Sequence, residues 1–146
     1  TTRNDLVEMT QVFLDRLPKL RKYGINTTGL TPHRAIPMIT RIAELCEKKG
    51  VIFSCRVSID GVGEMHADVR NVKNAFEKAN KTITALRELQ KTVKFNFGVS
   101  ATIFNKNIDD CENILAWAKR ENLDIVFNMV RFTDAMLGNA ELGGEV

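Results

Sequence analysis

Residues 51–60, Val-Ile-Phe-Ser-Cys-Arg-Val-Ser-Ile-Asp, alternate side chain by side chain and constrain the fold more than any other stretch. Val51, Phe53, Cys55, Val57 and Ile59 fall on one side, and Ile52, Ser54, Arg56, Ser58 and Asp60 on the other. A β-strand turns successive side chains to opposite faces, so this is a strand with one apolar and one largely polar face. Phe95, Phe97, Val99, Ala101 and Ile103 repeat the pattern against Lys94, Asn96, Gly98, Ser100 and Thr102. Tyr23 to Thr28 reads as a short strand closed by Gly29, and Ile125 to Phe132 as a last one carrying Asn128.

Helical spacing fills the gaps. Leu6, Met9, Phe13 and Leu17 predict a helix over residues 5–17, with Asn4 or Asp5 as N-cap and Pro18 as its stop. Thr31-Pro32 predicts a second start, with Ile36, Ile39, Ala43 and Cys46 inward and Gly50 as the exit. After Asp60 a loop is expected to hold Gly63, Glu64, His66 and Asp68, followed by Arg70. A long amphipathic helix then runs from Val72 to Leu89. Asn107, with Asp110 three residues on, is read as the cap of a helix carrying Cys111, Ile114, Leu115 and Ala118.

Strands separated by helices imply right-handed crossovers and a parallel sheet, which is the α/β class. Parallel strands covered on both sides are normally continuous apolar runs. Two-faced strands suit an open or partial (β/α) barrel with a wet, ligand-sized lumen better. Four strands cannot close a barrel, and the chain opens with Thr1, so a fragment is expected. Residues 1–132 form the partial barrel in this reading, and the tail 133–146, with three glycines and no period, stays unassigned.

Lys and Arg number 21 against 18 Asp and Glu, a net charge of +3 that is too small and too dispersed to suggest nucleic acid as a partner. No apolar run approaches the roughly 20 residues that span a bilayer, and no signal peptide is visible. No membrane partner is therefore expected. Cys46, Cys55 and Cys111 are odd in number and far apart, which suits free thiols in a cytoplasmic protein.

Working groups in α/β sheets cluster at the carboxyl ends of the strands. The candidates there are Asn26, Thr27, Thr28 and Gly29, then Ser58 and Asp60, then Thr102 through Asn107, then Asn128 and Arg131, with Arg70 just beyond the second strand's loop. Hydroxyls, amides, one carboxylate and an arginine suit binding better than catalysis, and no catalytic residue is assigned. His33 is expected at the surface, and His66 has no second ligand at metal spacing, so no metal ligand is assigned either. Gly61-Val62-Gly63 lacks the third glycine of a dinucleotide loop.

Ser58-Ile59-Asp60-Gly61, then His66, Arg70 and a helix near Val72, resembles the central part of radical S-adenosylmethionine enzymes, where an "S-x-D-G … H-D … R-G/N" passage follows the fourth strand. Asn26-Thr27-Thr28-Gly29-Leu30 is similar to their "T-N-G-L", with Thr28 where asparagine is usual. Thr102 to Asn107 is similar to their "T-x-x-x-x-N", and Arg3-Asn4-Asp5-Leu6 to the segment after "G-G-E-P". Asp68 takes the "H-D" position with one residue inserted. The "C-x-x-x-C-x-x-C" triad and the "G-G-E-P" motif are absent, and both would precede Thr1.

The resemblance implies strands three to six of a partial (β/α)6 barrel. Its cofactor is S-adenosyl-L-methionine, which a reduced 4Fe-4S cluster cleaves to a 5′-deoxyadenosyl radical for hydrogen abstraction. Carried over, Ser58 and Arg70 contact the cofactor's carboxylate, and Asp60 borders the ribose. Asn26, Thr27, Thr28 and Gly29, with Thr102 to Asn107, line the adenosyl pocket, and Asn128 completes the cofactor-binding set. The complete protein would act on a small-molecule or peptide substrate with an external electron donor, while this chain alone, lacking the cluster cysteines, would be inactive. Two alternatives stand beside it: a non-catalytic α/β ligand-binding or scaffold module, and an ordinary (β/α) barrel enzyme acting on a carboxylate or phosphate substrate through Arg70 and Asp60.

Overall fold

Among the described residues, four strands, each separated from the next by helix, lie side by side in the order in which the chain makes them. The computed structural model of the chain describes residues 3–130. The elements are α1 (Leu6–Arg16), β1 (Lys22–Thr27), α2 (Pro32–Lys48), β2 (Ile52–Ser58), α3 (Glu64–Arg70), α4 (Ala75–Leu89), β3 (Asn96–Ile103), a 3-10 turn (Ile108–Asp110), α5 (Cys111–Arg120) and β4 (Ile125–Met129). All neighbouring strands pair in parallel in the order β1-β2-β3-β4, with no reversal.

The alternation decides which face of the sheet is covered. Val51, Phe53, Cys55, Val57 and Ile59 are all buried, whereas Ile52 is exposed and Ser54, Arg56 and Ser58 are half-buried. A shift of one residue would invert every side chain, so this register is the one that puts the apolar set inside. It carries across the sheet in rows, with Gly24, Ser54 and Asn96 in one, Ser58 and Ser100 in another, and Thr102 beside Asn128. The apolar face packs into a core with Leu14 of α1, Ile39, Ile42 and Ala43 of α2, Ala79, Ile83 and Leu86 of α4, and Trp117 and Ala118 of α5. The opposite face is mostly polar, with Ile52 and Val126 as its exposed apolar residues.

Local chemistry accounts for both ends of α2. Proline begins α2 directly after Thr31, and Gly50 leaves it with φ +66°. Four expectations are corrected. The segment expected as a loop after Gly63 is the helix α3, and the long helix begins at Ala75. Asn71 and Asn74, at φ 51° and 57°, break the path between the two, a left-handed conformation that asparagine tolerates better than most residues. In α1 the buried positions are Thr10 and Leu14, while Phe13 and Leu17 are exposed. In α5 Trp117 is buried and Leu115 exposed, which rotates the inward stripe from the one expected. The last strand ends at Met129; Arg131, Phe132 and the tail 133–146 lie outside the described residues. Among the described residues no helix is long and apolar enough to cross a membrane.

Candidate functional site

The carboxyl ends of β2 and β3 meet around one residue, Asp60. Its backbone N–H donates to His66 Nδ1 at 3.0 Å, and its carbonyl accepts from Asn107 Nδ2 at 2.8 Å. Oδ1 of its carboxylate accepts the Thr102 backbone N–H at 2.8 Å, and Oδ2 pairs with Arg70 Nη2 at 2.6 Å. The Asp60 side chain is 5% exposed and that of Arg70 26%. A carboxylate so far from water is stable there only because charged and neutral donors replace its hydration. Arg70 therefore pairs with Asp60, across the strand end, and not with Glu64 or Asp68 beside it in sequence. The reason is α3, whose seven residues fold the chain back so that the last of them lies over the end of β2.

Asn107 is fully buried and clasps the two strand ends together. Its Nδ2 reaches Asp60 O and, at 2.9 Å, Thr102 O, while its Oδ1 accepts the Phe104 N–H at 2.9 Å. Both amide hydrogens are thereby spent on backbone carbonyls. This corrects its reading as a helix cap, since no side-chain cap bond is made at the 3-10 turn. Asp110 adds a second tie, accepting the Val62 N–H at 2.7 Å and Asn113 Nδ2 at 2.7 Å. Lys106 Nζ donates to Asp68 O at 3.0 Å and joins the loop after β3 to α3.

His66 shares a face of α3 with Arg70, four residues on, and has no solvent exposure. Burial pushes its imidazole below the ordinary range, and Arg70 adds to that; Asp60 and Glu77 oppose it. Its ring meets Phe76 edge-on at 6.3 Å, and Phe76 in turn meets Trp117 at 5.4 Å. Two buried side-chain nitrogens among the described residues lack a hydrogen-bond partner, and both are here: His66 Nε2 and Arg70 Nε. Buried donors are nearly always satisfied, so this pair marks the place as one with recognition capacity to spare.

The site residues named from sequence divide into two groups. Ser58, Asp60, Arg70, Thr102 and Asn107 come together at the ends of β2 and β3, with Ser58 half-buried and Thr102 exposed. Asn128 is exposed beside Thr102, and Asn26 is exposed beside Arg56 in the register. Both belong to the polar face. Thr27 does not: it is buried on the helix side, where its Oγ1 accepts the Gly29 N–H at 3.2 Å. Gly29, at φ +71°, is buried too, and its carbonyl accepts the Thr82 hydroxyl at 2.6 Å. Thr28 is half-buried at the same strand end. Arg131 is outside the described residues. Elsewhere on the polar face Arg56 pairs with Asp124 at 2.6 Å and donates to Val99 O at 3.0 Å. Sequence reasoning left His66 and Thr82 without a role and read Asp110 only as part of a helix cap; the spacing of His66 and Arg70 was the available signal for the first.

Among the described residues no three His, Cys, Asp or Glu side chains form a metal-holding group. Burial pushes the thiol of Cys46 up to about 11 and that of Cys55 up to about 12. Cys111 is raised as well, by burial and then by Asp110 and Asp109. Thiols shifted upward are protonated at neutral pH in the metal-free chain. No protein-family model matches this chain, and no curated protein matches it.

Proposed function

We propose that this chain is the cofactor-binding portion of a radical S-adenosylmethionine enzyme, its four strands corresponding to strands three to six of a six-stranded partial barrel. The observation that carries the reading is Arg70, fixed by Asp60 at 2.6 Å while its Nε stays buried and unpartnered at the mouth of a polar sheet face. The cofactor's carboxylate needs a cation and neutral donors in a partly dry place, and Arg70 with the half-buried Ser58 hydroxyl offers both. Asn26, Thr102 and Asn128 extend the polar face that would receive the adenosyl group, and Thr28 flanks it. Asp60, Asn107, Thr27 and Gly29 hold the strand ends in place.

When bound, S-adenosylmethionine with a reduced 4Fe-4S cluster supplies hydrogen-abstracting radical chemistry. The three thiols of this chain do not fit the cluster, lying on α2, β2 and α5 at unrelated spacings, so this reading puts its ligands outside the chain. The complete protein is, in this reading, a cytoplasmic oxidoreductase-type enzyme with a small-molecule or peptide substrate and an external electron donor. Calorimetric titration with S-adenosylmethionine tests the assignment. A charge-assisted pair contributes about 1.5–3 kcal/mol, so Arg70→Ala is expected to weaken binding roughly ten- to a hundredfold. It also strips Asp60 of its counter-ion, so Arg70→Lys serves as the folded comparison: it keeps the charge for Asp60 and loses the guanidinium fork. Wild-type affinity in Arg70→Lys, or no binding to the wild type, overturns the reading.

A further inference from the structure

We propose that His66 is the positioning residue of this site: as a neutral ring it holds the end of β2 through Asp60, and protonating it frees the Asp60–Arg70 pair from the edge of β3. The inference rests on the reading above only for what the site holds; the device itself needs no ligand. Asp60 donates its backbone N–H to His66 Nδ1, so Nδ1 must carry a lone pair and the ring hydrogen must sit on Nε2. Asp60 is one short residue with four bonds, to His66, Asn107, Thr102 and Arg70. Moving its backbone moves its carboxylate, and with it the guanidinium.

A proton on Nδ1 sets a donor against the donor of Asp60, inside the fold and near Arg70. The charged groups acting on the ring are Asp60 at the end of β2, Arg70 on α3 and Glu77 on α4. Asp60 and Glu77 favour the proton, while burial first and Arg70 second oppose it, so the folded chain takes it up below the ordinary value of 6.5. The unfolded chain takes it up at the ordinary value. The latch is therefore fully stabilising above pH 6.5 and is lost as the pH falls below it.

Nitrogen-15 NMR of the labelled chain without any ligand tests this. At neutral pH a scalar coupling should cross the hydrogen bond from the Asp60 amide to His66 Nδ1. On acidification the Thr102 amide and Arg70 Nε resonances should shift with the same midpoint as the His66 ring. His66→Asn places a carbonyl oxygen near the position of Nδ1 and does not titrate; it should keep the neutral-pH resonances and abolish that step. The same step in His66→Asn would not come from the imidazole and would overturn the proposal. So would a wild-type ring that titrates without moving Thr102 or Arg70, which decides the matter even if the variant does not fold. A chain that shows the step and binds no S-adenosylmethionine refutes the function proposed above and leaves the latch standing.

Discussion

Replacing Asn107 with aspartate changes one nitrogen to oxygen at a fully enclosed polar point of the site. The wild-type amide makes three hydrogen bonds, to Asp60 O, Thr102 O and the Phe104 N–H, and is fully buried. At about 1 kcal/mol net for each bond, Asn107→Ala loses about 3 kcal/mol. Asn107→Asp keeps the Phe104 bond but turns an oxygen toward two carbonyls in a place without water, so at neutral pH it costs at least as much. At about 3 °C per kcal/mol, the melting temperature falls by roughly 10 °C. Burial and the facing carbonyls raise the folded carboxyl above its unfolded value of about 3.9. The folded variant then binds its proton first, so the gap to wild type narrows as the pH drops through the folded value and is smallest below about 3.9. The protonated acid donates to one carbonyl and regains part of the loss. Melts of both proteins across this range check it, with the contribution of His66 common to the two. A variant within about 0.5 kcal/mol of wild type, or a gap indifferent to pH, refutes the clasp.

Gly29→Ala should lose about 2–4 kcal/mol in urea melts, from left-handed backbone and crowding together. Its φ is +71°, and a Cβ would lie 2.8 Å from Val57 Cγ1 and 3.2 Å from Ala79 Cα; wild-type stability would contradict both. Native alkylation followed by mass spectrometry should modify Cys111, which is half-buried, well before Cys46 and Cys55, which are buried and held at about 11 and about 12. Equal rates for Cys55 and Cys111 would show that the core opens more readily than its packing allows.

The sheet was legible because its signal is doubled: burial and side-chain direction share the period of two in β2 and β3. The phase of α1 was not, because Thr10 is polar by name yet buried, its hydroxyl donating to Leu6 O at 2.8 Å. The glycines at 61 and 63 hid α3, which is bounded by Gly63 and the left-handed Asn71 and not by any periodicity. Most of the gathered residues were named in advance, but the bonds that tie them to one another were not. Asn107 can cap forward or reach backward, and only the nearness of Asp60 and Thr102 decides. Arg70 had three carboxylates within reach of its sequence, and the helix that brings it to Asp60 was the part read as loop. Thr27 shows the limit of a strand-end argument, since alternation turns it under the helices while Asn26 beside it faces the open side.

The most direct measurement follows the nitrogen-15 resonances of the chain as S-adenosylmethionine is added to millimolar concentration. The expected result is saturable movement of Ser58, Thr102 and Arg70 Nε, with Val51, Lys94 and Phe95 at the opposite strand ends unmoved. Absence of saturable shifts, or shifts centred on the opposite ends, would contradict a cofactor seat at the ends of β2 and β3.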